Sequence, residues 1–175
     1  MTTRQQHRDG KGGLGKAAAV LLTAVLATAC SSIDCPLNNL VYTSYIVYNS
    51  NGERDSLVDT LTVTTTSTDG YEVTVLNLDT DIDSFALPIS YAQDVDVFTF
   101  ELRDSLGATV TDVVSVQKEN EMHFEDIDCT PSYFHTITGV SYTRNAIDSI
   151  VITDTEVNYD TSKKHFRIYF NDSAF

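Results

Sequence analysis

Beyond residue 35, apolar side chains fall at every second position, in short runs broken by turn residues. This is the period of strands that bury one face. Leu57, Leu61 and Val63 share a face across Asp59, and Tyr71, Val73 and Val75 share another after the Thr68-Asp69-Gly70 turn. Phe85, Leu87 and Ile89 form the next row, then Phe98, Phe100 and Leu102. Val110, Val114 and Val116 continue past Asp104-Ser105-Leu106-Gly107. Near the end Phe166, Ile168 and Phe170 alternate with His165, Arg167 and Tyr169, which puts His165 on the polar face. No stretch of this region keeps helical spacing over several turns.

Two segments break the strict alternation. Residues 40–48 and 132–144 are apolar or aromatic on both faces, as central strands covered on two sides are. Together the runs predict an all-β domain of roughly nine short strands, an antiparallel β-sandwich of the immunoglobulin-like kind, with a small barrel as the alternative. Arg54-Asp55-Ser56-Leu57 recurs as Arg103-Asp104-Ser105-Leu106. The flanks of the two copies do not align, so the repeat reads as shared turn chemistry rather than duplication.

The first residues follow a different logic. Arg4, Arg8, Lys11 and Lys16 form a basic opening, and residues 17–29 form an apolar run. That is the layout of a cleaved secretory signal helix, and the run is shorter than the roughly 20 residues a bilayer core requires. The exit, Leu26-Ala27-Thr28-Ala29-Cys30, resembles the lipobox of bacterial lipoproteins. The resemblance implies cleavage before Cys30 and lipid on its sulfur. The expected organisation is residues 1–29 as signal, 30–34 as a short lipid tether and 35–175 as one sandwich domain. Residues 10–16 have the spacing of a phosphate-binding loop, but Ala17 stands where a magnesium-holding Ser or Thr is required. No nucleotide is expected.

Charge narrows the partners. The 175-residue chain carries 11 Lys+Arg against 25 Asp+Glu, a net charge of -14. From Cys30 onward only seven basic residues remain against 24 acidic ones, or -17. This argues against nucleic acid and polyanions, whose binding rests on clustered Lys and Arg. Besides Cys30 there are two cysteines, Cys35 and Cys129, in the near-copies Ile33-Asp34-Cys35-Pro36 and Ile127-Asp128-Cys129-Thr130-Pro131. In an exported protein such a pair reads as a disulfide. It would leave five steps from Cys30 to Cys35, a reach of about 17 Å at full extension, so the domain would sit against the membrane.

Candidate chemistry is sparse. Asp79, Asp81 and Asp83 alternate as in the opening of a helix-loop-helix calcium loop, but Ser84 and Ser90 occupy the places of its Gly and Glu. They remain weak candidates for a divalent metal, against a solvated turn whose charges discourage edge pairing. His123, His135 and His165 lie on separate runs, with His135 placed as a hydrogen-bonded core residue. No Gly-x-Ser-x-Gly elbow is present. There is no Trp, so saccharide stacking would fall to Tyr42, Tyr45 or Tyr133.

The segments Ser31-Ser32-Ile33-Asp34-Cys35-Pro36-Leu37-Asn38-Asn39 and Asp128-Cys129-Thr130-Pro131-Ser132-Tyr133-Phe134-His135-Thr136-Ile137-Thr138-Gly139-Val140, with Ala146-Ile147-Asp148-Ser149-Ile150 and His165-Phe166-Arg167-Ile168-Tyr169-Phe170, resemble a family of small lipoproteins from Bacteroides-type bacteria. That family is filed as a domain of unknown function. The resemblance implies an outer-membrane or periplasmic lipoprotein with no known activity. The expectation is a non-enzymatic accessory or interaction module without cofactor. It would be anchored by lipid on Cys30 to the periplasm-facing side of the outer membrane, beside an outer-membrane protein. The alternative is a ligand-binding sandwich for carbohydrate or calcium.

Overall fold

Strands form where the sequence alternates, and turns form where a side chain can replace the lost ladder bonds. In the computed structural model, which describes residues 35, 40–77 and 80–171, ten strands follow one another. They are β1 (Tyr42–Tyr48), β2 (Thr60–Thr66), β3 (Glu72–Asn77), β4 (Ser84–Pro88), β5 (Val95–Arg103), β6 (Thr109–His123), β7 (Ser132–Tyr142), β8 (Ile147–Ile152), β9 (Glu156–Val157) and β10 (Phe166–Phe170). The turn from β5 to β6 shows the local logic. Asp104 Oδ1 accepts from the amides of Leu106 and Ala108 at 2.9 and 2.7 Å, and Gly107 takes the left-handed φ of 91° that a side chain would resist. The other copy of the tetrapeptide behaves differently: Leu57 is buried, whereas Leu106 stands in solvent.

The strands make two open sheets, ordered β4-β1-β10-β8 and β3-β2-β5-β6-β7-β9. The fold is thus a sandwich-like pair of sheets, and among the described residues no barrel closes. One pairing departs from the antiparallel expectation: β1 runs parallel to β10. Tyr45 therefore has Phe85 of β4 opposite it on one side and Phe166 of β10 on the other. Its ring stacks on both, at 4.8 and 4.7 Å, and meets Phe100 of the second sheet edge-on at 6.1 Å. Around this aromatic centre one core gathers Leu61, Val63, Leu87, Phe98, Leu102, Val114, Val116, Ile147 and Ile168. Each fully buried Leu, Ile, Val or Phe contributes about 1.5–3 kcal/mol.

Several side chains lie where alternation does not put them. Tyr45, a candidate sugar platform, is completely buried, its hydroxyl without a hydrogen-bond partner among the described residues, and burial pushes the phenol well above its ordinary pKa. Tyr71 and Val73 are exposed at β3, an edge strand with no neighbour beyond it among the described residues. His165 is buried, not on a polar face. On the core-facing parity of β6, between Val110 and Val114, sits Asp112, and beyond Val116 sits Lys118. Both are buried.

The pairings sort the loops into two ends. Tyr42 lies opposite Pro88, Val95 opposite Gln117 and His123 opposite Ser132. The start of β1, the β4–β5 loop and the β6–β7 loop therefore share one end. The β5–β6 turn and the β7–β8 connection share the other.

Candidate functional site

Cys35 and Cys129 are joined, with Cα atoms 5.5 Å apart, and tie the chain ahead of β1 to the β6–β7 loop. The bridge links the segments leading into the two sheets. Cys30 lies outside the described residues.

Around this bridge the surface is unusually apolar for so acidic a chain. Met122 and Phe124 at the end of β6, Ile127 two residues before Cys129, Tyr91 of the β4–β5 loop and Leu40 before β1 are all exposed. Ile127 is 94% exposed. Tyr91 stacks on Tyr133 of β7 at 4.7 Å, and His123 stacks on Phe134 at 4.2 Å while bonding Glu125 at 3.1 Å. Beside Leu40 and Tyr91 opens a cavity of about 520 Å³, bounded also by the β2–β3 turn, with Asp96 in its wall.

Behind that cavity runs a polar network. Lys118 Nζ lies 3.1 Å from Asp96 Oδ2 and donates to the Gln93 carbonyl. Asp96 also accepts from the Ser90 amide at 3.2 Å. Burial raises its pKa above the ordinary carboxylate value, against the opposing pull of Lys118 and Ser90. Asn120 donates to Gln93 O and Asp94 Oδ1 and accepts from His135 Nδ1 at 2.7 Å. His135 is a core histidine held by hydrogen bonding, and burial, reinforced by the Lys118 charge, lowers its pKa to about 4.

The second constellation pairs a hydroxyl with an imidazole. Ser44 of β1 and His165 line an adjacent cleft of about 280 Å³. The Ser44 amide donates to His165 Nδ1 at 3.0 Å, which fixes the ring proton on Nε2, where it meets the Glu156 carbonyl at 3.1 Å. Ser44 Oγ donates to the Lys163 carbonyl at 2.7 Å, with Nδ1 at 3.1 Å. The lone pair that a general base would use already holds the parallel β1–β10 pairing together. Burial, together with Lys163 and Lys164, lowers the His165 pKa against the Glu156 carbonyl and Asp154. Alternation missed this residue because the chain enters β10 through it, where loop contacts rather than the pleat set its environment.

Two members of the acidic triplet, Asp81 and Asp83, fall among the described residues. Asp79 lies outside the described residues. Asp81 is exposed, with a left-handed φ of 67°. Asp83 faces Arg54 at 3.6 Å and accepts from Ser84 Oγ. Among the described residues no three His, Cys, Asp or Glu side chains are grouped to hold a metal.

Comparison with known proteins adds one match. No curated protein and no solved structure matches this chain. Residues 60–170, which run from β2 through β10, match the model of a family of unknown function, DUF6452. The matched segment holds nine of the ten strands and most of the core, and on that match the chain belongs to the DUF6452 family.

Proposed function

We propose that this protein is a lipid-anchored interaction module, without catalytic role or cofactor, held by lipid on Cys30 at the periplasmic side of the outer membrane. Its apolar, disulfide-bonded end would rest against a membrane-embedded protein. The observation that carries this reading is the position of the Cys35–Cys129 bridge amid Leu40, Met122, Phe124 and Ile127. A lipid on Cys30 would be at most five residues from that bridge, so the end richest in exposed apolar groups would be the one nearest the bilayer. Such patches mark docking surfaces. The surrounding Glu121, Glu125, Asp126 and Asp128 disfavour anionic lipid and leave a protein surface as the occupant.

The test uses two equally exposed aliphatic positions. Ile127 is 94% and Leu106 92% exposed, at opposite ends of the sandwich. A photoreactive side chain at Ile127 should cross-link to one membrane protein in intact cells, and the same group at Leu106 should not. Cys30→Ala should abolish the adduct and release the protein from the membrane fraction. Equal labelling from both positions, or Cys30→Ala that stays membrane-bound in high salt, refutes the reading. Lengthening residues 31–34 by about twenty flexible residues adds roughly 25 Å of mean reach. Undiminished function with that insertion moves the ligand-binding alternative, favoured by the Tyr91–Tyr133 stack beside the 520 Å³ cavity, to the front.

A further inference from the structure

Of the seven basic residues from Cys30 onward, Lys164 and Arg167 are near neighbours in sequence and Arg54 lies more than a hundred positions away, yet the three meet on the outer face of the four-stranded sheet. Arg54, Lys164 and Arg167 line one open groove of about 270 Å³ with Ile46, Tyr48 and Thr153. Their neighbourhood is set by register. Arg167 lies opposite Ile46, and Tyr48 bridges Arg54, which brings the loop after β1 beside β10. The Arg167 guanidinium rests over the Tyr48 ring at 5.1 Å, which fixes it and strips water from one of its faces. Thr153 Oγ1 donates to the Lys164 carbonyl at 2.5 Å, anchoring that backbone.

The contrast with the other cations is what gives the groove meaning. Of the four cations outside it, Lys118 is buried against Asp96, Lys163 meets Asp154 and Glu156, Arg103 meets Glu101, and Arg144 stands by itself over the Tyr142 ring, away from the cations that line the groove. Within the groove Arg54 has, among the described residues, only the exposed Asp83 at 3.6 Å. Among the described residues neither Lys164 nor Arg167 forms an ion pair. In a chain of net charge -14, cations left beside one another repel unless something anionic lies between them.

We infer that this groove binds a small tetrahedral oxyanion, a phosphate or sulfate carried as an ester. Two arginine forks and an ammonium, entering from the loop after β1, from β10 and from the segment just ahead of β10, suit an anion with three oxygens in different directions and more than one negative charge, better than a planar carboxylate. The small volume and the acidic surroundings restrict the ligand to one such group, not a polyanion. The inference is independent of the lipid anchor.

The test titrates the full-length protein, in nonionic detergent, with inorganic phosphate and with sulfate at constant ionic strength, reading 1H–15N NMR shifts. Saturable shifts at residues 46–48, 153 and 164–167 are expected. Arg167→Gln and Lys164→Gln should each weaken binding at least tenfold. Arg144→Gln, which removes a guanidinium resting over Tyr142 elsewhere, should not. Shifts reproduced by chloride, or an equal response in all three variants, overturn the inference. Vesicles of phosphatidylglycerol in phosphatidylcholine, mixed with the Cys30→Ala protein so that no acyl chain inserts, then separate the sources. Sedimentation with them that is lost in Arg167→Gln assigns the group to a lipid headgroup. Phosphate binding without sedimentation assigns it to a soluble ester.

Discussion

The two ends of the sandwich each bury a carboxylate on a core-facing strand position, and they satisfy it in opposite ways. At the end remote from the disulfide, Asp112 accepts from Thr143 Oγ1 at 2.5 Å and from the amides of Asn145, Ala146 and Ile147 at 2.7–2.8 Å. Burial works to raise its pKa, but these four donors together outweigh it and hold the carboxyl below its ordinary value. At the disulfide end Asp96 faces another side chain, Lys118, and burial prevails. A carboxylate cradled by backbone amides locks a chain corner that an apolar residue cannot replace. A carboxylate paired with a lysine can be replaced together with its partner.

The comparison breaks first at Asp112. Asp112→Ala should cost roughly 3–5 kcal/mol, because several buried donors lose their acceptor at about 1–3 kcal/mol each. Urea unfolding followed by circular dichroism measures it, and a loss under about 1 kcal/mol would mean the cradle re-forms on water. Next, Lys118→Met alone should cost on the order of 3 kcal/mol by leaving Asp96 buried and unpaired. Adding Asp96→Leu should bring stability to within about 1 kcal/mol of the native protein or above it. No partner substitution should rescue Asp112→Ala in that way.

Acid sharpens the contrast, because the two carboxylates have opposite signs. Asp112, lowered from 3.8, stabilises fully above that pH and loses its contribution as pH falls through its folded value. Asp96, raised from 3.8, contributes below that pH and loses its contribution as pH rises through its folded value. Urea midpoints between pH 6 and 2 should therefore show a flatter acid limb in Asp112→Asn and a steeper one in Asp96→Asn. Parallel limbs would contradict the assignment. The smallest effect concerns His135. In Lys118→Met its pKa should rise from about 4, since one repelling charge is gone, yet stay below 6.5 because burial is the larger cause. Imidazole NMR titration reads this directly.

The difference between the ends also shows how far the sequence could be read. Phe98, Phe100 and Leu102 are legible as a buried row because every second position is apolar and the pleat enforces the rest. Asp112 stands in such a row, but the donors that make its burial tolerable come from residues 143–147, more than thirty positions away. Arg54 gives no sign in sequence of Lys164 and Arg167, since only the parallel β1–β10 pairing and the Tyr48–Arg54 bridge bring it to their groove.

By itself the sequence determined that the chain from residue 35 is made of strands, that its core is aromatic and aliphatic, and that Cys35 has Cys129 as its natural partner. These follow from local period and from counting. Only the tertiary structure decided that Tyr45 lies at the centre rather than on a binding face, that His165 and Lys118 are buried, and that the first and last strands run parallel. The physical reason is that alternation assigns a side chain to one of two faces. Whether that face is wet, apolar or lined with donors is set by strands far away in the chain.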